Sequence, residues 1–477
     1  RDNCAAAKQS RGMKERILFL TGRLAEKRLE KVLQGMEPTA FDWSIFNVGV
    51  KVAALMTEPI LIRRLPRPLE ADRVVVPGRC RADLAHLAQE FGVPFERGPD
   101  ELKDLPMFLG KAGAALDLSR HALRIFAEIV DASQMSLEAV LARAEVLRAA
   151  GADVIDLGCL PDTPFPHLED AVRELKARGF AVSVDSADPD ELRRGGRASA
   201  DYLLSLTEHN LTIAEETGAR PVLIPAQHGD LASLYRAAEE AEKRGLKAIL
   251  DPVIDPIHFG FADSLSRYRD VRAHLPDAEM LMGAGNLTEL TDADSVGVTA
   301  LLLGICSELA IANVLAVHVS PHTRRTIQEH DAARRIMYAA LADHSLPRGY
   351  GRALLQVHDQ KPFPYSGEEI AEAAAQVKDK NYRIEAAEDG IHIYNSAGHF
   401  VAQDAFALFD KLGVETDGAH AFYLGAELTK AEIAFQLGKR YAQDEPLDWG
   451  CATDRRAEDR TRLSEAGHTL RARTADG

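Results

Sequence analysis

From Arg124 onward, short apolar runs alternate with stretches whose apolar residues recur every three or four positions. Eight runs read as strands: Arg124–Asp131, Asp153–Gly158, Phe180–Asp185, Asp201–Leu206, Arg220–Pro225, Lys247–Asp251, Glu279–Gly283 and Val314–Val319. Between them, segments such as Ser136–Ala150 place Leu137, Val140, Leu141 and Ala144 on one helical face. Three of these helices close on the same punctuation (AAGAD, ARGF, KRGLK), where Gly suits the left-handed cap of a helix that turns into a strand. An open doubly wound sheet alternates in the same way. Eight even repeats without a break favour closure, so the expected fold is α/β, with a central (β/α)8 TIM barrel.

The flanks follow other rhythms. Apolar runs at Arg16–Gly22, Phe41–Val50 and Asp72–Pro77, the first and last followed by helical stretches, predict a small α/β (Rossmann-like) domain. Beyond the barrel, Tyr382–Ala386 and Ile391–Tyr394 flank Glu388-Asp389-Gly390, a hairpin signal, and helical segments follow, so an α+β domain is expected. The expected boundaries are 13–115, 120–345 and 350–452, with disorder expected for the 1–12 extension and the charged 453–477 tail.

Composition narrows the function. Across 477 residues the net charge is −16, which leaves no basic excess for a nucleic-acid partner held through phosphates. No apolar run reaches the ~18 residues a membrane span needs, and the first residues carry no apolar core for a secretion signal. Five scattered cysteines without a CxxC pair suggest reduced thiols and a cytoplasmic setting.

Barrel chemistry sits at the C-terminal strand ends. The candidates there are Glu128 and Asp131, Asp156, Asp185, Ser205 and Asn210, Gln227 and His228, Asp251 with Asp255 and His258, Gly285 and Asn286, and His318 with His322, Arg324 and Arg325. A lone Asp at a strand end also serves as a helix cap or turn residue. Asp156 and Asp185 are harder to assign that way, because apolar residues flank each, and a buried carboxylate needs partners. A ring with paired N–H donors, such as the amino-pyrimidinone edge of a pterin, supplies them. The same carboxylates could hold Mg2+, with Glu128 and Asp131 as ligands. Gly283-Ala-Gly285-Asn286, with the basic residues after the eighth strand, could receive a diphosphate, or the arginines could simply open a solvated helix.

The segments LEAVLARAEVLRAAGADVIDLG, VSVDSADPDELRRGGRASADYLLSL, AILDPVID and AVHV resemble the pterin-binding barrel of dihydropteroate synthases. The likeness is to the related proteins of archaea and of methylotrophs that use tetrahydromethanopterin. It implies that Asp156, Asp185 and Asp251 line a pterin pocket and that His318 contacts a leaving diphosphate, with Asp185 and His318 as the catalytic candidates. Ser205, Asn210, Gln227, Gly285, Asn286 and Arg324 would complete the substrate site. The implied reaction joins a dihydropterin diphosphate to an arylamine, a ribofuranosylaminobenzene phosphate in the methanopterin branch, with Mg2+ assisting. The flanking domains would cap the mouth or build a homodimer. The sequence departs from the family where Glu128-Ile-Val-Asp replaces an Asn-bearing loop, Gly-Ala-Gly-Asn replaces a Lys-bearing loop, and Ala316 replaces an Arg. MGAGNLTELTDADSVGVTALLLGICSELAI is more like methyl-tetrahydropterin methyltransferases, a second implied activity. A non-catalytic pterin-binding protein is the third.

Overall fold

A computed structural model describes residues 14–23, 25–50, 56–100, 102–110 and 117–454. The 1–12 extension and all but the start of the 453–477 tail lie outside the described residues. The chain divides into two compact units. One gathers the segments before Asp117 and after Gln356, and the other runs from Asp117 to Gln356 with Trp449–Thr453.

In the first unit, β1 (Glu15–Thr21), β2 (Phe41–Asn47), β3 (Arg73–Val76) and β4 (Phe95–Arg97) form a parallel sheet of order β2-β1-β3-β4. The carboxyl-terminal part of this unit holds a separate, antiparallel sheet.

The second unit is the barrel. Its strands are β5 (Arg124–Ile129), β6 (Val154–Gly158), β7 (Ala181–Asp185), β8 (Tyr202–Leu206), β9 (Arg220–Leu223), β10 (Ile249–Leu250), β11 (Leu281–Gly283) and β12 (Asn313–Val317). All neighbours are parallel, in the order β10-β9-β8-β7-β6-β5-β12-β11. A single parallel bridge, Leu250 to Met280, completes the ring, with Leu250 N–H donating to the Glu279 carbonyl at 2.9 Å. Each of the eight predicted strands overlaps an observed one, with its ends moved by at most two residues. Gly151, Gly179 and Gly245, the three predicted helix stops, all take positive φ.

Strand alternation sorts the side chains into layers. Ile125, Ala127, Ile129, Ile155, Leu157, Val182 and Val184 face the helices. Phe126, Val154, Leu204, Val222, Ile249 and Leu281 fill the barrel interior. Two residues further along β5 to β7, in the same register, stand Glu128, Asp156 and Ser183. Apolar packing therefore stops in mid-barrel and gives way to carboxylates toward the C-terminal mouth.

The opposite end is closed by a polar floor. Arg124 donates to Asn313 Oδ1 (3.0 Å), to Tyr202 Oη (3.0 Å) and to Glu279 Oε1, while Arg220 donates to Glu279 Oε2 at 2.6 Å. Charge partners at this end of a barrel serve stability rather than chemistry. Replacing Glu279 with Ala leaves two arginines and Asn313 without their common acceptor. Hydrogen bonds to charged groups are worth ~1.5–3 kcal/mol each when buried. Glu279 is 27% exposed, so we expect urea unfolding to show a loss of about 2 kcal/mol.

After the barrel, β13 (Arg383–Ala387), β14 (Gly390–Asn395) and β15 (Gly398–Ala402) form an antiparallel meander, covered by the helix Gly418–Leu437. The predicted hairpin is present, with Ala387 pairing Gly390 across the turn. Among the described residues no helix is long and apolar enough to cross a membrane.

Candidate active site

Three strands deliver the carboxylates. Asp156 is fully buried, and its Oδ1 accepts a hydrogen bond from the Ser183 hydroxyl one strand away. Its other oxygen, Oδ2, is buried without a hydrogen-bond partner. Asp185 ends β7 and accepts from Ser205 Oγ at 3.4 Å. The β8–β9 register shifts between Leu203 and Leu206, an irregularity of the kind that re-aims side chains near barrel mouths, and Ser205 lies inside it. Glu128 lies against Gly158, where an added Cβ would stand 2.7 Å from Oε1. Gly at that position leaves room for the Glu128 carboxyl.

Burial raises all three acids, and the charge of Asp185 adds to the rise of the other two. Burial, then the charge of Asp185, pushes Glu128 up to about 7. Burial pushes Asp156 well above the usual carboxylate range, with Asp185 and Glu128 adding to it. Asp185 is raised by burial and held back by Ser205. Among the described residues no Lys or Arg forms an ion pair with any of the three. Ionising all three carboxyls at once is disfavoured by their common burial.

Asp251 follows β10. Its Oδ1 accepts from Tyr268 Oη (2.7 Å) and from Val253 N–H (2.8 Å). Burial raises it to about 6 against those two hydrogen bonds. The loop it opens is held from below by Arg267, which donates to the Pro252 carbonyl (3.1 Å), the Val253 carbonyl (2.7 Å) and Asp255 Oδ2 (2.7 Å). Val253 and His258 take positive φ of 65° and 70°. A β-branched residue there is strained, and strain of this kind concentrates at functional loops.

On the other side, His318 follows β12. Arg143, from the helix Leu137–Ala150, donates to His318 Nδ1 at 2.8 Å. Burial and that guanidinium lower the His318 pKa, so the ring is neutral and its Nε2 carries the proton. Glu289 accepts from the N–H groups of Val319 and Ser320 and from Thr323 Oγ1, fixing the loop after β12.

The remaining expected residues are spread more widely. Asn210 closes its own turn, accepting from Thr207 N–H at 2.7 Å. Gln227, Asn286, Arg324 and Asp131 are exposed, and Asn286 donates to the Ile254 carbonyl at 2.7 Å. An added Cβ on Gly285 would meet Val317 at 2.7 Å, so this glycine serves close packing beside β12. Arg325 donates to the Cys451 carbonyl at 2.9 Å and His322 Nε2 meets the Thr288 carbonyl at 3.1 Å. Cys159, beside Asp185, has its thiol raised far above the ordinary range by burial and by neighbouring carboxylates, which makes it inert. Among the described residues no group of three or more His, Cys, Asp or Glu side chains could hold a metal ion. Asp131, the other acid expected beside Glu128, is exposed in the loop after β5.

Ser183, Arg143, Arg267 and Tyr268 are partners that the strand-end pattern does not mark. All four sit on barrel helices or in mid-strand, and only the closed barrel brings them to the site.

Residues 15–100 match a family described as a family of unknown function (DUF6513). The chain is 24% identical to the uncharacterized protein MJ0107 of Methanocaldococcus jannaschii, over 90% of this chain and 98% of that one. Solved structures similar to it include a Yersinia pestis dihydropteroate synthase with a pterine-sulfa conjugate (20% identity, TM-score 0.35, 48% of this chain and 95% of that one). Others are the 7,8-dihydropteroate synthase of Vibrio fischeri (17%, TM-score 0.37, 48% and 96%) and that of Thermus thermophilus in complex with 6HMPPP (21%, TM-score 0.35, 47% and 96%).

Proposed function

We propose that the barrel mouth binds a reduced pterin and that the protein transfers the pterinylmethyl group of a dihydropterin diphosphate to an arylamine, in the manner of a dihydropteroate synthase. The observation that carries this reading is the bare Oδ2 of Asp156. A buried carboxylate oxygen without a partner costs free energy unless a ligand donates to it. Around it stand Glu128, Asp185 and Asp251, acceptors matched to a ring whose amidine edge and ring nitrogens are donors. The sequence motifs that hold Asp156, Asp185 and Asp251 support the same ring.

In the reaction so proposed, the carboxylates orient the ring and stabilise positive charge that develops on the methylene as the carbon–oxygen bond breaks. Arg143 and His318 stand on the β12 side. They offer N–H groups to the departing diphosphate in place of the basic loop residues absent from the sequence. The arylamine nitrogen forms the new bond and then loses a proton. The methanopterin-type arylamine, a ribofuranosylaminobenzene phosphate, is the finer part of the proposal and rests on the sequence likeness.

Calorimetric titration with 6-hydroxymethyl-dihydropterin tests the ring. Asp185→Ala removes a charge-assisted acceptor, and at ~1.5–3 kcal/mol per such bond the dissociation constant should rise roughly 10–100-fold. Wild-type protein that binds no pterin overturns the reading. Pterin binding without diphosphate release in the presence of arylamines would leave the ring site and remove the transfer.

A further inference from the structure

At the rim formed by the loops after β9 and β10, an imidazole is presented to solvent by a buried carboxylate. His228 Nε2 lies 2.8 Å from Asp255 Oδ1. Asp255 is 7% exposed at its side chain, whereas His228 is 67% exposed. The second oxygen of Asp255 accepts from Arg267 at 2.7 Å, and Arg267 is itself 11% exposed. The Asp255 backbone N–H donates to Ser264 Oγ at 3.2 Å. Gly260 gives Asp255 room, since a Cβ there would stand 2.8 Å from Oδ2. Burial pushes the Asp255 carboxyl up, but Arg267 and His228 outweigh it and hold it below its ordinary value, so it is an anion at neutral pH.

The direction of the hydrogen bond follows. An ionised carboxylate only accepts, so Nε2 of His228 donates to Asp255, and in the neutral ring Nδ1 bears the lone pair. A base oriented by a carboxylate, which is itself oriented by a third group, is the arrangement by which enzymes activate nucleophiles. A surface ion pair needs none of this scaffolding. Here one partner is buried, and its loop is strained at Val253 and His258 and tied at three points by Arg267. The same loop begins with Asp251, so the imidazole after β9 and the Asp251 carboxylate after β10 stand on adjoining strands of one mouth.

We propose that His228 is the general base of the mouth, taking a proton from the attacking amine, with Asp255 and Arg267 as its positioning residues. The identity of the nucleophile rests on the transfer reading above; the relay itself does not. In the balanced step, the amine nitrogen bonds to the pterin methylene and the carbon–oxygen bond breaks, its electron pair leaving with diphosphate. The proton of the resulting ammonium passes to His228 Nδ1. The imidazolium is stabilised by Asp255 and later releases the proton to solvent. The charged groups set against His228 are Asp255 and, through it, Arg267.

The test uses the full chain. His228→Ala should leave pterin affinity within about twofold of wild type and lower kcat by roughly 10²–10³-fold, the usual worth of a general base. Added imidazole should restore part of that rate. Asp255→Asn should lower kcat less and shift the acid limb of the pH–rate profile, which a merely structural role would not move. A His228→Ala protein that turns over at the wild-type rate, or that imidazole does not rescue, overturns the proposal while leaving the transfer reading standing. If wild type performs no transfer at all, the transfer reading has failed, and carbethoxylation followed by mass spectrometry still judges the relay. His228 should react faster than the more exposed His209, whose side chain is 75% exposed, and Asp255→Asn should abolish the difference. Equal reactivity of the two histidines overturns the relay.

Discussion

Glu128→Gln should make the protein more stable, increasingly so as pH rises from about 4.5 to about 7 and fully above that. In the folded protein burial and Asp185 hold this carboxyl's pKa at about 7, against an ordinary 4.5. Between those values the folded state keeps a proton that the unfolded chain has released. Stability therefore falls as pH rises through that window and stays low above it, because the folded state binds more protons. At ~1.4 kcal/mol per pKa unit, the penalty at pH 8 is about 3 kcal/mol. Glutamine cannot ionise and does not incur it. Urea titrations at pH 8 should show the variant ahead by that amount, and at pH 4 the two proteins should coincide. A constant gap at both pH values would mean that the carboxyl is not held protonated. A stabilising substitution at a mouth residue is the mark of a site that trades stability for function.

Arg267→Ala should have the opposite sign and a larger effect on the rim. It removes three hydrogen bonds and leaves Asp255 buried with only His228 as an ionic partner. Breaking a buried pair by deleting one member costs ~3–5 kcal/mol. We expect about 3 kcal/mol in urea unfolding. The contribution of Asp255 has its own pH signature. Its folded pKa is depressed, so its stabilisation is present above the unfolded value of 3.8 and is lost as pH falls through the folded one. The gap between wild type and variant should therefore narrow in acid. Asp255→Asn in the Arg267→Ala background should recover part of the loss, since it removes the stranded charge. No recovery would mean that the arginine acts through the loop carbonyls alone.

Much of the barrel was legible because its strands are short apolar runs punctuated by glycine. Burial on both faces forces that pattern. What escaped was short or polar. Phe95–Arg97 spans three residues with a charge at two of them, and Gly398–Ala402 begins on Gly-His. In the site, Asp156, Asp185 and Asp251 were visible as polar residues set in apolar sequence. Ser183 was not, because a serine inside a strand carries no signal until Asp156 is seen beside it. Arg143 and Arg267 read as ordinary solvated helix positions. Only the closure of the barrel turns the first toward His318 and the second toward Asp255. Asn210 and Asn286 show the converse. Their position at strand ends suggested ligand contacts, and the structure adds a local partner for each: Thr207 N–H for Asn210 and the Ile254 carbonyl for Asn286.

The seam between β10 and β11 gives the barrel its mechanics. The hoop is joined there by one bridge, and Glu279 takes part in both the joint and the floor. Its carbonyl accepts the seam hydrogen bond from Leu250, and its carboxylate is gripped by Arg124 and Arg220. A single residue thus acts as a keystone, setting the circumference from below. The rim above it, from Asp251 to Gly260, is the braced edge of the same hoop, held by Arg267 at Pro252, Val253 and Asp255.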